Sequence, residues 1–259
     1  MQQPQDTVSS HIIEVNNITY RFLIKNLDKS KNGVIIFFTS AKGQTPRSKN
    51  IFPYYTRLSW ADSLANYTSI FVADPFELSP LCNESCGSWF IGSNGQSLLP
   101  IISQLLLNII GDEHGPLLTY GSSMGGYAAL LSAFYLKADS VIAECPQLIL
   151  STYLSAKKYL EKINDVNMQY INVFDFFNQQ PIHFSTEILL NIGDSVHIKQ
   201  LSTILCDAKY KNLLRSLNIN ILIYSSKNNF GHTVIPKDDA IKKLFNTFQI
   251  NIIYRYHYW

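Results

Sequence analysis

Residues 116–131 read PLLTYGSSMGGYAALL: an apolar run, a turn of small residues, then a second apolar run. The first run is short and continuous, as in a strand covered on both faces. The second carries Tyr127, Leu130, Leu131 and Phe134 at helical spacing. The chain must therefore turn from strand to helix within a few residues. Gly121 and Gly125, two before and two after Ser123, remove the Cβ atoms that would clash in so tight a turn. The string fits G-x-S-x-G, with Ser123 at the helix start, where unpaired backbone N–H groups face any developing negative charge. The competing reading is a glycine-rich turn that only packs helix on strand. The apolar strand before it and the periodic helix after it favour a nucleophile.

The rest of the chain alternates in the same way. Residues 11–26 read as a hairpin broken at Asn16-Asn17. Buried-strand patterns follow at 34–39, 68–73, 116–120, 141–145, 188–192 and 220–225. Helical patterns lie at 53–66 (opening at Pro53), 97–110, after Gly125, from the fifth of these strands to about 217, and at 237–248. Residues 149–180 read as mainly helical and aromatic. Strands and helices in alternation predict an α/β chain with a mainly parallel sheet and helices on both faces. The expectation is one domain over 1–259, with 147–185 as a small helical cap insertion.

Composition excludes several classes. Hydrophobic residues are 46% and charged residues 15% of the 259, enough for a large core and unlike a disordered chain. The net charge of +2 carries no basic field for nucleic acid. Cys82 and Cys86 lack two further ligands at zinc spacing, so no metal is expected. The N-terminus is polar, and no apolar run approaches the ~20 residues of a membrane span. The expected location is cytoplasmic, with any attachment to the inner membrane peripheral.

A serine hydroxyl needs a base, and in this kind of chain the order is serine, acid, histidine. His232, in SSKNNFGHTVIP, follows the last strand, with Gly231 before it. His11 and His114 precede the serine, His183 and His197 precede that strand, and His257 lies in the tail. Asp194 follows ILLNIG, leaving room for one helix and one strand before His232. Asp207 falls inside the intervening helical pattern, and Asp238 and Asp239 read as first-turn acids. The expected triad is Ser123, Asp194 and His232. The oxyanion donors are expected at the backbone N–H of Met124 and in the loop Thr39–Gly43, at Ala41.

These features resemble the α/β-hydrolase superfamily over nearly the whole chain. A narrower likeness rests on YGSSMGG, Cys145-Pro146-Gln147, Gly193-Asp194-Ser195-Val196-His197 and Gly231-His232. Together they look like bacterial capsule polysaccharide O-acetyltransferases of the meningococcal serogroup A type. That resemblance implies acetyl-CoA as donor, a glycan acceptor and an acetyl-serine intermediate, with no bound cofactor. Met124 departs from the lysine the likeness would place there. Gln147, Trp89 and Arg57 are the candidate substrate-binding residues, with Arg47 a further phosphate-binding candidate. Each has a plain structural alternative as a cap, a core aromatic or a solvated cation. A carboxylesterase or deacetylase would need the same triad. A non-catalytic accessory protein of glycan assembly or secretion would have no reason to keep all three residues in order.

Overall fold

The computed structural model describes residues 8–42, 52–225 and 232–257, with side chains described as far as residue 247. Gly43, Arg47 and Gly231 lie outside these residues. Eight strands form one sheet in the order β1-β2-β4-β3-β5-β6-β7-β8. Strands β1 (Val8–Val15) and β2 (Ile18–Lys25) make the expected hairpin, turning at Asn16 and Asn17, both left-handed. Asparagine tolerates that region better than other non-glycine residues. β2 pairs antiparallel with β4 (Thr68–Val72), and every later pairing is parallel.

β3 (Val34–Phe38) is buried along its whole length, and its side chains alternate between two cores. Val34, Ile36 and Phe38 face the larger core, with helix α1 (Leu99–Ile110) and helix α2 (Met124–Tyr135). Ile35 and Phe37 face the smaller core, with Trp60 and with Leu244 of helix α7 (Lys237–His257). Burial on both faces is why this strand reads as an unbroken apolar run.

The remaining strands are β5 (Leu117–Ser122), β6 (Ser140–Glu144), β7 (Ser185–Asn191) and β8 (Ile219–Tyr224). Their C-terminal ends lie side by side and deliver Ser123, Cys145 and Asp194 in turn. Among the described residues no helix is long and apolar enough to cross a membrane.

Two helical expectations change. Residues 53–66 form a 3₁₀ helix over Leu58–Leu64 only, because Arg57 before it is left-handed at φ 68°. The run to 217 splits into α5 (Ser195–Cys206) and α6 (Lys211–Ser216). Asp207 takes an extended conformation there and accepts from Lys209 N at 3.0 Å, which caps a new turn and ends the old helix. The segment 149–180 holds short helices α3 (Leu154–Leu160) and α4 (Val173–Asn178), the latter capped by Asn172. Val173, Phe174, Phe176 and Phe177 are buried, and Phe176 packs on Phe134 and Tyr135 of α2. The aromatic segment is thus built into the larger core.

Candidate active site

Ser123 is the N-cap of α2, at φ 58° and ψ −123°. An L-residue rarely occupies this region, and the neighbouring glycines make it feasible. A Cβ on Gly121 would run into the Gly125 carbonyl, and one on Gly125 into the carbonyls of Phe38 and Thr39. The helix therefore starts hard against the end of β3. Ser123 N donates to Glu144 O at 2.9 Å, which ties the turn to β6.

Glu144 anchors the floor of the site. Its side chain is fully buried and accepts from Tyr120 Oη at 2.6 Å and from Ile235 N. Arg57 Nη2 lies 3.5 Å from it and also donates to Ser122 Oγ at 3.4 Å. Burial raises the Glu144 pKa, and the bonds from Tyr120, Ile235 and Arg57 oppose that rise. The network joins the serine strand to the segment after His232. It also accounts for Arg57, whose guanidinium bonds inward and covers Trp60.

Asp194 caps α5 and shares its two carboxylate oxygens between two histidines. Oδ2 is 2.6 Å from His232 Nδ1, and Oδ1 is 2.7 Å from His197 Nδ1. The second contact is close but bent, since the Nδ1–H of His197 does not point squarely at the oxygen. The two rings stack with centroids 4.7 Å apart. Burial works against the Asp194 charge, but both histidines outweigh it and hold the carboxyl well below the usual carboxylate range. Burial also lowers the His197 pKa. For His232, burial is overcome by hydrogen bonds and charge from Asp194 and Cys145, and its pKa is pushed up to about 9.

The buried thiol of Cys145 stands beside this pair. Its sulfur, an Asp194 oxygen and a His232 ring nitrogen lie within 4.8 Å of one another. The sequence gives no sign of that approach. It follows from the left-handed Cys145 (φ 42°), which turns the chain at the end of β6.

Among the described residues the Ser123 hydroxyl bonds not to His232, as the sequence suggests, but to Gln147. Gln147 Nε2 donates to Ser123 Oγ at 2.7 Å and lies 3.1 Å from His197 Nε2. Trp89 Nε1 donates to Gln147 Oε1 at 3.1 Å. Gln147 and Trp89 are 0% and 1% exposed, so neither lines an open groove. Ser88, the residue before Trp89, is held by Asp74, which accepts from Ser88 N at 2.7 Å and Ser88 Oγ at 2.6 Å. The side chains of Met124 and Ala41, the expected oxyanion donors, both approach Gly87. A Cβ on Gly87 would run into the Met124 sulfur and sit 3.5 Å from Ala41 Cβ.

Sequence reasoning set His197 aside because it precedes the last strand. The signal available was its spacing. An N-cap aspartate with a histidine three residues on puts both on one face of the first turn.

An antiparallel β2, parallel strands from β4 onward and a strained serine turn at the end of β5 define the α/β-hydrolase fold. No family model and no curated protein matches the chain. Solved structures do. The capsule O-acetyltransferase of Neisseria meningitidis serogroup A, in complex with caged gadolinium, is 21% identical with a TM-score of 0.63. That match covers 92% of this chain and 96% of the other. A histidine variant of that enzyme in complex with CoA is 20% identical over 92% and 94%, TM-score 0.64. An S-formylglutathione hydrolase from Agrobacterium tumefaciens is 13% identical over 95% of each chain, TM-score 0.65.

Proposed function

We propose that this chain is a serine acyltransferase that O-acetylates a bacterial surface polysaccharide, such as a capsule, from acetyl-CoA. The observations that support a serine mechanism are the Asp194–His232 pair and a serine held in a strained strand-to-helix turn, which Gln147 and His197 link to that pair. In this reading the Ser123 oxygen bonds to the thioester carbonyl carbon and His232 takes its proton. The tetrahedral oxyanion is held by the backbone N–H groups of Met124 and Ala41. CoA leaves with a proton from His232, and acetyl remains on Ser123. A sugar hydroxyl then repeats the sequence, giving ping-pong kinetics. Asp194 keeps the imidazole oriented throughout and stabilises its charged form.

The choice of donor and acceptor is supported by the likeness to a capsule O-acetyltransferase and to a structure of that enzyme holding CoA. A second reading, hydrolysis of an acyl ester, is favoured by the His232 side chain, which at 32% exposure is open to water.

Incubation with acetyl-CoA, with and without capsular glycans, separates the readings. Transfer predicts acetyl on Ser123 that persists in buffer and is discharged when acceptor is added. Rapid release of CoA without glycan assigns the chain to the esterases. If Ser123→Ala still turns over either substrate at the wild-type rate, the serine mechanism is wrong.

A further inference from the structure

The geometry points to Gln147 as a catalytic residue in its own right: a hydrogen-bond donor to Ser123 Oγ that speeds the breakdown of the acyl-serine. His197 is the positioning residue that aims it. This inference rests on the serine mechanism above and deepens it.

The orientation of the amide follows from its partners. Indole Nε1 can only donate, so the Gln147 atom that faces Trp89 is the oxygen Oε1. The NH2 group then faces Ser123 and His197. One N–H goes to Ser123 Oγ and the other to the Nε2 lone pair of His197. For His197 to accept there, its own proton must sit on Nδ1, toward Asp194 Oδ1. Trp89, Gln147, His197 and Asp194 thus form a chain in which each member fixes the next. Because Gln147 donates to the serine oxygen, the serine's own proton remains available for His232.

The two half-reactions use this donor unequally. Before acylation Ser123 Oγ is a hydroxyl oxygen, a good acceptor, and the bond to Gln147 already exists at 2.7 Å. Little further stabilisation is gained as the attack proceeds. In the acyl-serine the same atom is an ester oxygen, a weak acceptor. In the second half-reaction the acceptor oxygen bonds to the carbonyl carbon and gives its proton to His232. The carbon–Oγ bond then breaks, its electron pair stays on Oγ, and Oγ takes the proton back from His232. Negative charge grows on Oγ along this path, so the Gln147 bond strengthens toward the transition state. Only such a differential interaction raises the rate.

The test follows acetyl-Ser123 in the full chain. p-Nitrophenyl acetate loads the serine, excess ester is removed, and intact-protein mass tracks the decay, with and without acceptor. Gln147→Leu is expected to load within about fivefold of the wild-type rate and to decay about 100-fold more slowly, the scale of losing one preorganised donor. Circular dichroism checks folding, and loading itself reports a formed site. His197→Gln, which can still meet Gln147, is expected to decay faster than His197→Asn, which can reach only Asp194. Wild-type decay in Gln147→Leu overturns the inference, as does an equal loss in loading and decay. The reverse order of the two His197 variants overturns the positioning role. If wild-type Ser123 is never acetylated, the serine mechanism itself falls, a result distinct from these.

Discussion

His232 is the residue whose chemistry is most visibly tuned. Its pKa is raised to about 9 by Asp194 and Cys145 against the pull of burial. A general base must be neutral, and a raised pKa keeps the ring protonated at neutral pH. The rate constant kcat/KM for a neutral ester is therefore expected to climb with pH and level off only near 9. In Asp194→Asn the midpoint should fall toward about 6.5 while the plateau drops by roughly 10⁴, the effect of losing the orienting carboxylate. A pH–rate profile checks both, and a wild-type plateau already reached at pH 7 would rule out this tuning. The Asp194–His232 contact and the strained turn at Ser123 were legible because chain order and strand ends fix where each can stand. Gln147 was legible only as a substrate-binding candidate, and neither its bond to Ser123 nor the approach of Cys145 was, because both depend on a left-handed turn that no residue type announces.

Among elements, the turn from β5 into α2 is the most tightly determined. Gly125 rests on the carbonyls of Phe38 and Thr39, with no room for a methyl group. Gly125→Ala is expected to cost about 1–3 kcal/mol by overpacking and to displace the serine, read by urea unfolding and by loading of Ser123. The Glu144 network makes a second demand. Glu144→Ala strips Arg57 of its buried partner and Ile235 N of its acceptor. A loss of about 3 kcal/mol is expected, with a fall in kcat because the segment after His232 loses its tether. A variant as stable as wild type would show that the network is idle. Strands were read well from sequence, since burial on both faces leaves an unbroken apolar run. Helices were read less well at 53–66 and 195–217, where single residues end them: a left-handed Arg57 and a capping Asp207. Neither outweighs apolar periodicity when sequence alone is weighed.

At the scale of the molecule, the α/β architecture was legible from alternation, and the antiparallel start from the Asn16-Asn17 turn. The packing of Phe174, Phe176 and Phe177 into the larger core was not, because an aromatic helical segment reads the same whether it covers a site or fills a core. The strand order has a consequence in time. β3 lies between β4 and β5, and both follow it in the chain. A ribosome adding about 5–20 residues per second releases β3 roughly ten seconds before Leu117–Ser122 can cover its second edge. Chains cut before Gly121 should therefore collect in the insoluble fraction, while the full chain stays in the supernatant. During synthesis an open edge of Val34–Phe38 is a template for any neighbouring nascent chain. The strand that leads into Ser123 is the one that ends this exposure, so the yield of the protein in a crowded cell depends on how soon β5 arrives.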